Sequence, residues 1–255
     1  MNKKQLTIIV DRTSVHIAEV LRSTQNITHQ SHHPLTAHLS KDIIKELNDI
    51  FDKTTWIQEY DEYTLAWGTN SATLIPSPVF EASDAKKISH LMLGENIPND
   101  AIDYNRLPEL NVVNVYEIPM WVKSFFVRKF PKLLIQHENT MLLRAVFQNK
   151  IETTTAFISC FEAYFTLIII DSNQLIFSNH FEFQNSKDIL YYLMFVLNQK
   201  MLMDKKVNLK GFVCDINSDV TLKEAFTTIE QKKLLPSFSI DQQISSLFKN
   251  QLLCV

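Results

Sequence analysis

Glycine is scarce in this sequence, whose 255 residues include only Gly68, Gly94 and Gly211. Average usage near 7% would give about 18 in a chain of this length. Glycine adopts positive φ without strain and lets a ligand phosphate approach the backbone closely. Neither a Walker loop nor a dinucleotide-binding fingerprint occurs. The shortage therefore excludes the phosphate-cradling loops of an ordinary nucleotide-driven enzyme.

Cysteines and long apolar runs are also few. Cys160, Cys214 and Cys254 are odd in number and far apart, which excludes a disulfide framework and indicates reduced thiols in a cytoplasmic protein. The longest apolar run, Ile189–Leu197, is too short to span a bilayer. The N-terminal apolar run, Gln5–Val10, is too short for a signal peptide. We therefore expect neither secretion nor membrane insertion.

The chain has no strong excess of one charge. It contains 25 Lys and Arg residues against 28 Asp and Glu residues, which gives a formal net charge of −3, and both signs are scattered. Nothing in this balance demands a polyanion or a membrane surface as a partner. Nucleic acid is thus disfavoured as the partner.

The patterns that are present follow the same order in both halves of the chain. For the first half we predict strands at Gln5–Val10, Val15–Leu21 and Thr24–His32, a loop at Ser31–Pro34, a helix capped by Ser40, strands at Tyr63–Trp67 and Ala72–Ile75, a helix capped by Ser83, a strand at Asn111–Tyr116, a helix at Trp121–Phe130, a strand at Lys132–Gln136 and a helix at Thr140–Gln148. For the second half we predict strands at Thr153–Cys160, Ala163–Ile170 and Gln174–Phe183, a helix capped by Ser186, a strand at Leu209–Cys214, a helix opened by Asp219, a short strand at Phe238–Ile240 and a C-terminal helix.

Each half thus runs through three strands, a helix, a strand and a helix, which is the order of a ribonuclease H-like lobe. Two such lobes in tandem make the actin-like ATPase fold, an α/β fold with mixed sheets. We predict a first lobe at 1–149, which includes an inserted middle segment, and a second lobe at 150–255.

Several short segments resemble a family of uncharacterised bacterial proteins, mostly from Bacteroidetes, defined as a domain of unknown function. The segments are Thr73–Phe80, Asn114–Trp121, Asn179–Phe183 and Asp188–Tyr192. Their order and spacing carry the resemblance over nearly the whole chain. The resemblance implies an actin-like ATPase fold of two ribonuclease H-like lobes, and it implies no activity and no catalytic residues.

The predicted fold makes the two hairpin turns the test for nucleotide binding. Nucleotide-binding members of this fold hold phosphates in two such turns, typically of the form Asp-x-Gly, where Asp organises metal and water. In the first turn Asp11 is in place, but Thr13 stands where glycine is wanted. The second turn, Cys160–Ala163, has neither residue, and Phe161 would crowd a phosphate. The glycine pair usual at the adenosine-binding helix is missing too.

We therefore interpret Asp11 as a turn former and expect no cofactor. The alternative is a divergent protein that binds Mg-ATP through Asp11, Thr13 and Asp215.

Other chemistries find only partial support. A ribonuclease H-type nuclease needs several carboxylates from one lobe, and Asp11 with Glu19, or Asp171 with Asp215, make no complete set. No nucleophile elbow occurs.

Four histidines lie within ten residues, a spacing that could ligate zinc. They are His29, His32, His33 and His38. Because no cysteine is near, we interpret this segment as a solvated polar loop and not as a metal site.

A basic patch lies on the predicted helix Trp121–Phe130 and just beyond it. It comprises Lys123, Arg128, Lys129 and Lys132, next to Phe125, Phe126 and Phe130. Basic residues interleaved with aromatics are typical of nucleic-acid platforms. Because the helix is amphipathic, we interpret the aromatics as core and the basic residues as a solvated face. The patch is still the best candidate for contact with an acidic partner.

Together these observations favour a cytoplasmic, non-catalytic actin-like protein that serves as a binding or scaffold module for an unidentified protein partner, with a homodimer as one option. A divergent ATP-binding protein or ATPase is the alternative. A nucleic-acid-associated protein that uses the basic patch is a weaker alternative.

Overall fold

The computed structural model describes residues 3–94, 97–148, 150–161, 163–213, 216–235, 237–240 and 245–251. Its strands are β1 (Lys4–Val10), β2 (Ser14–Leu21), β3 (Asn26–Pro34), β4 (Glu62–Trp67), β5 (Ala72–Pro76), β6 (Ile102–Leu107), β7 (Val112–Glu117), β8 (Leu133–His137), β9 (Thr155–Cys160), β10 (Tyr164–Asp171), β11 (Gln174–Glu182), β12 (Val207–Val213), β13 (Phe238–Ile240) and β14 (Ser245–Ser246). Its α-helices are α1 (Ser40–Lys53), α2 (Ala85–Leu93), α3 (Met120–Lys129), α4 (Glu138–Phe147), α5 (Ser186–Gln199), α6 (Ile216–Lys232) and α7 (Leu247–Asn250).

The chain divides into two compact units. The first unit comprises the described residues of Met1–Leu142 and Phe248–Val255, and the second those of Leu143–Leu247. The lobe boundaries drawn from the sequence, 1–149 and 150–255, stay a prediction.

Each unit is built on one mixed sheet, and the two sheets have the same strand order. The first is β3-β2-β1-β4-β8, and the path of the second is β11-β10-β9-β12-β13, with β14 paired to β12. In each, an antiparallel meander of three strands is followed by strands parallel to the first of them. Even the irregularities correspond, because both outer hairpins shift register, at Glu19/Val20 and at Ile169/Ile170. The predicted order of elements in the two halves is thereby confirmed.

The core of the first unit forms where α1 and α3 cover one face of the sheet. In α1 the buried residues Ile43, Leu47, Ile50 and Phe51 recur at helical spacing. Alternate residues of β1, such as Ile8, point into the same core as these side chains. Apolar periodicity in the sequence thus determines which face of each element is buried.

An insertion between β4 and β8 adds a small sheet to the first unit. Its order is β5-β7-β6, both pairs are antiparallel, and α2 packs against it. The helix ends at Gly94, whose φ of +104° suits glycine and whose N–H donates to His90 at 3.1 Å. Strand β6 was not predicted from the sequence, and its residues are mostly half-buried and include Asp103, Asn105 and Arg106.

In the second unit α5 and α6 supply the helical part of the core. Leu193 and Val196 of α5 and Phe226 of α6 are buried with apolar residues of β9 and β10. Among the described residues no helix combines the length and apolar character that crossing a bilayer requires.

Some predicted boundaries were wrong. Residues Ser31–Pro34 are not a loop, because β3 continues to Pro34 and pairs with β2 as far as Ser14. Ser40 is the first residue of α1 and not its cap. The capping position belongs to Leu39, which has no side-chain oxygen. Similarly, the capping position of α2 belongs to Asp84 and not to Ser83, and that of α5 belongs to Asn185 and not to Ser186.

The last described residue, Gln251, contacts the sheet of the first unit. Gln251 is 1% exposed, and its side chain accepts from Thr64 Oγ1 at 2.8 Å and donates to the Ile8 carbonyl at 3.2 Å. The side-chain amide of Gln5 donates to Thr64 Oγ1 at 2.9 Å and to the Gln251 carbonyl at 3.3 Å. A buried polar network thereby ties residue 251 to β1 and β4.

Candidate functional site

The first hairpin turn, between β1 and β2, folds around the side chain of Asp11. The backbone N–H of Asp11 donates to the Ser14 carbonyl at 3.1 Å. One carboxylate oxygen of Asp11, Oδ1, accepts from the backbone N–H groups of Thr13 and Ser14 and from Thr13 Oγ1, each at 2.7 Å. Asp11 is 5% exposed. The structure therefore brings Asp11 and Thr13 together, and the hydrogen bonds of the Asp11 carboxylate with Thr13 and Ser14 lie within the turn.

Burial and hydrogen bonding act in opposite directions on the Asp11 carboxyl. Burial raises its pKa above the usual value, and the hydrogen bonds from Thr13 and Ser14 counteract part of that rise. Among the described residues, the second oxygen, Oδ2, has one long contact, 3.3 Å from Ser14 Oγ. One oxygen is thus fully engaged and the other retains acceptor capacity.

A serine and a histidine continue from this carboxylate, but not in the order of a nucleophile triad. Ser14 Oγ lies 3.2 Å from Asp11 Oδ1 and 3.0 Å from His16 Nε2. In a catalytic triad the acid orients the histidine through its other ring nitrogen. Here the acid contacts the serine, so it does not orient His16. The ring of His16 also stacks on His32, with centroids 4.4 Å apart.

The residues around the turn are joined by contacts between distant parts of the first unit. Arg12 pairs with Glu117 at 2.6 Å, and the Glu117 carbonyl accepts from the indole N–H of Trp67 at 2.7 Å. The backbone N–H of Gly68 donates to Val10 at 2.8 Å, immediately before the turn. Sequence reasoning missed the Arg12–Glu117 pair, because residues 105 positions apart leave no local pattern.

A cavity of about 530 Å³ opens beside the turn within the first unit. Its charged lining has both signs, since Arg12 and Glu117 face it together with Asp100. Trp121 and Met120 supply apolar wall. Arg12, and not Asp11, is the residue of the turn that lines this cavity.

The second hairpin turn has the same backbone frame with different chemistry. The N–H of Phe161 donates to the Tyr164 carbonyl at 2.9 Å, which corresponds to the Asp11–Ser14 bond of the first turn. Phe161 thus occupies the position of Asp11. Its ring is 1% exposed and stacks on Tyr164, with centroids 4.9 Å apart and planes 6° from parallel. The second turn therefore has an aromatic ring where the first has a carboxylate.

The remaining acids named from the sequence are tied into ion pairs or lie outside the described residues. Glu19 is buried and contacts Lys4 at 3.2 Å and Thr28. Asp171 binds Lys205 at 2.6 Å, and the bonds from Lys205 and from Thr154 lower its pKa. Asp215 lies outside the described residues.

The four clustered histidines are dispersed by the pairing of β3. His32 stacks on His16, and His29 stacks on Trp56 with centroids 5.4 Å apart. Burial, and then the neighbouring His32, lower the pKa of His33. Within the described part of the chain, these histidines do not gather into a group able to hold a metal.

In the basic patch (Lys123, Arg128, Lys129 and Lys132), two cations form ion pairs within the described residues and two do not. Lys123 binds Asp103 at 2.8 Å, and Lys129 lies 3.4 Å from Asp52. Arg128 and Lys132 are exposed and make no ion pair with another described residue. The aromatic neighbours Phe125, Phe126 and Phe130 are buried in the core, as predicted.

Comparison with known proteins identifies a family and a fold. The family described as "Protein of unknown function (DUF3822)" matches residues 1–230. Among curated proteins, none matches the sequence.

Two solved structures share the fold. One, from Bacteroides thetaiotaomicron VPI-5482, is described as a protein with actin-like ATPase fold and unknown function. It is 18% identical, with coverage of 100% of this chain and 96% of that chain and a TM-score of 0.78. The other belongs to the PilM–PilN type IV pilus biogenesis complex. It is 8% identical, with coverage of 96% and 91% and a TM-score of 0.57. The actin-like ATPase fold and the family resemblance expected from the sequence are thereby confirmed.

Proposed function

Since this chain belongs to the DUF3822 family of proteins of unknown function and has the actin-like ATPase fold, we propose that it is a non-catalytic binding or scaffold protein. The observation that carries the proposal is the first hairpin turn. Its backbone donors at Thr13 and Ser14 are already bound, at 2.7 Å, by the carboxylate of Asp11.

A phosphate bound in such a turn needs backbone N–H groups that point at it. In this chain the phosphate competes with Asp11 for those groups, and it brings negative charge next to a buried carboxylate. Displacing a carboxylate from buried donors costs about 1–3 kcal/mol for each group left unsatisfied. The Cβ of Thr13 adds bulk where relatives have glycine. The turn as it stands does not fit a nucleotide phosphate.

The second turn supports the same proposal. Phe161 stands at the position equivalent to Asp11, so this turn offers an apolar ring where a carboxylate would organise metal and water. Neither turn therefore retains the pair of features, an available carboxylate and a small flexible residue, on which this fold's nucleotide chemistry depends.

A binding role for a protein of this fold has a precedent in the PilM–PilN complex, whose description names an assembly of two proteins. That is an analogy of fold and identifies no partner for this chain. We propose that the basic patch contacts an acidic partner protein, with a second copy of this chain as the other option. A cytoplasmic location is part of the proposal.

The rival function is binding of Mg-ATP through Asp11, Thr13 and Asp215. One observation favours it: Asp11 Oδ2 retains acceptor capacity, since its one contact with the described part of the chain is the long one from Ser14 Oγ.

A thermal-shift titration with millimolar Mg-ATP, Mg-ADP and Mg-GTP separates the two functions. A ligand at 100 times its dissociation constant stabilises the fold by about 2.7 kcal/mol. We expect no shift in the wild-type protein, and that result excludes the ATPase.

The matched variants are Asp11→Ala, which removes the carboxylate, and Asp11→Asn, which keeps an acceptor for the turn but loses the charge. Each is compared with its own melting temperature without nucleotide, so that a less stable variant is still informative. A nucleotide shift in wild type that disappears in both variants overturns the proposal.

A further inference from the structure

The strongest unassigned feature is a groove between α1 and α3 in the first unit, which we call the α1–α3 groove. Ile44 and Asn48 line it from α1, one helical turn apart, and Phe125, Arg128 and Lys129 line it from α3. Its volume is about 250 Å³. Two neighbouring helices thus present a continuous concave surface.

The floor of the groove is apolar and firmly held. Phe125 is 6% exposed, and its ring lies 6.0 Å from that of Phe51 and 5.0 Å from that of Phe126. Ile44 is half-buried against the same core. A floor backed by packed aromatic rings keeps its shape when a ligand enters, which reduces the ordering cost of binding.

The rim on α3 is basic. Lys129 lies with its ammonium 5.4 Å from the centre of the Phe51 ring and 3.4 Å from Asp52, so its position is defined. Arg128 lines the groove and Lys132 follows α3. Both are exposed and make no ion pair with another described residue. An acidic ligand would supply a counter-charge to these two cations.

The volume of the groove indicates what kind of group enters it. Pockets for small molecules and cofactors typically measure about 300–1,000 Å³, and a cavity of about 150 Å³ accepts one benzene. A groove of about 250 Å³ therefore suits an apolar side chain carried by a larger partner. Nucleic acid fits less well, because stacking needs exposed rings, and Phe125, Phe126 and Phe130 are buried.

We infer that the α1–α3 groove binds an acidic, amphipathic segment of a partner protein, which inserts an apolar side chain between Ile44 and Phe125 and places carboxylates against Arg128 and Lys132. The inference rests on the proposed binding function and specifies its partner. Helical segments that lay an apolar face into a groove between helices are a recurring mode of recognition.

The test uses the full chain and three fluorescent probes, with binding followed by anisotropy. The first probe is a helical peptide with Leu along one face and Glu along the flanks. The second has every Leu replaced by Ser and keeps the same charge. The third is a single-stranded oligothymidine of equal net charge. We expect saturable binding of the Leu/Glu peptide and at least about tenfold weaker binding of the other two.

Two variants locate the binding. Asn48→Trp fills the groove from an exposed position, and Arg128→Glu with Lys132→Glu reverses the rim. Each is expected to weaken the binding of the Leu/Glu peptide by about tenfold or more. The matched control, Lys206→Glu with Lys232→Glu, changes two exposed lysines of the second unit and alters net charge equally. It should leave affinity within about twofold.

The inference is wrong if the Leu/Glu peptide does not bind saturably, if Asn48→Trp leaves its affinity unchanged, or if the Ser peptide binds equally well. Tighter binding of the oligothymidine would assign the basic patch to nucleic acid instead. The nucleotide titration is separate from these outcomes. A failed peptide experiment without a nucleotide shift refutes the groove alone, and a nucleotide shift that requires Asp11 refutes the non-catalytic function alone.

Discussion

Two residues at helix ends take the left-handed conformation that glycine usually occupies. Met201 follows α5 with a φ of 55°, and Lys233 follows α6 with a φ of 49°. After α5 the backbone N–H of Met201 donates to Asn198 and that of Leu202 donates to Leu197, the two bonds of a Schellman motif. A residue with a Cβ is strained there, by about 1–2 kcal/mol. The scarcity of glycine is thus visible as strain at specific positions.

We predict that Met201→Gly stabilises the protein by about 1 kcal/mol, because glycine adopts positive φ without a Cβ clash. Met201 is 89% exposed, so the substitution sacrifices little buried apolar surface. A change of this size moves the melting temperature of a domain of 150–250 residues by about 2–4 °C. The control is Met201→Ala, which keeps the Cβ. If both variants melt alike, the strain explanation is wrong.

Glu19 is a buried carboxylate whose charge the fold stabilises. Burial raises its pKa, but hydrogen bonds from Thr28, Lys4 and Tyr60, together with the charge of Lys4, outweigh burial and hold the pKa at about 2, below the ordinary 4.5. A carboxyl whose folded pKa is depressed contributes stability above its unfolded pKa. That contribution is lost as the pH falls from about 4.5 towards 2.

We therefore predict that Glu19→Gln flattens the pH dependence of stability between pH 4.5 and 2. One proton of difference contributes a slope of up to about 1.4 kcal/mol per pH unit. The measurement is urea unfolding at several pH values, followed by tryptophan fluorescence, since all three tryptophans lie in the first unit. Equal slopes in the variant and the wild type would contradict the assignment.

Among the elements, two helices of equal length begin differently. α5 starts with a capping box, in which Asn185 accepts from the backbone of α5 and Asp188 accepts from the N–H of Asn185. The residue at the capping position of α1 is Leu39, which has extended backbone but no side chain able to accept from the first N–H groups. The first turn of α1 therefore lacks a contribution that α5 has.

We predict that Leu39→Asp stabilises the protein by about 0.5–1.5 kcal/mol, because a carboxylate there caps the helix and complements its dipole. Leu39 is 60% exposed, so little apolar burial is lost. Removing the existing cap with Asn185→Ala should change stability by about 1 kcal/mol in the opposite direction. Thermal melts of both variants give the comparison. A destabilised Leu39→Asp would show that Leu39 has a packing role.

At the same scale, strongly periodic elements could be predicted and weakly patterned ones could not. The apolar run Ile168–Ile170 in β10 and the spacing of Ile43 and Leu47 in α1 mark a strand and a helix from composition alone. In β6, Ile102–Leu107, polar residues interrupt the alternation, and its place is set by pairing with β7. The end of β3 at Pro34 is likewise determined by its partner β2.

Across the whole molecule, one part of the candidate site could be predicted from the sequence and another part could not. The Asp11 turn was predictable, because residues 11–14 contact one another and their types favour a turn. The Arg12–Glu117 pair was not, since it depends on where the insertion places β7. The sequence placed the second turn at Cys160–Ala163, opposite Asp11–Ser14, and the backbone bonds move this match by one residue, so that Phe161 corresponds to Asp11. Contacts within one turn can be predicted from the sequence, whereas contacts between residues far apart in the sequence depend on the fold.

The contact of residue 251 with the first sheet is the most distant of these, and it gives a prediction for the whole chain. Gln251→Ala removes the acceptor for Thr64 Oγ1 and the donor to the Ile8 carbonyl inside a buried network. Buried groups left without partners cost about 1–3 kcal/mol each, so we expect a loss of about 2–4 kcal/mol from the first unit. Urea unfolding followed by tryptophan fluorescence measures this loss. Replacing the whole network with apolar residues, Gln251→Met with Thr64→Val and Gln5→Met, should recover most of it, because no buried donor or acceptor side chain is then left unpaired. If Gln251→Ala unfolds at the wild-type urea concentration, Gln251 does not stabilise the first unit.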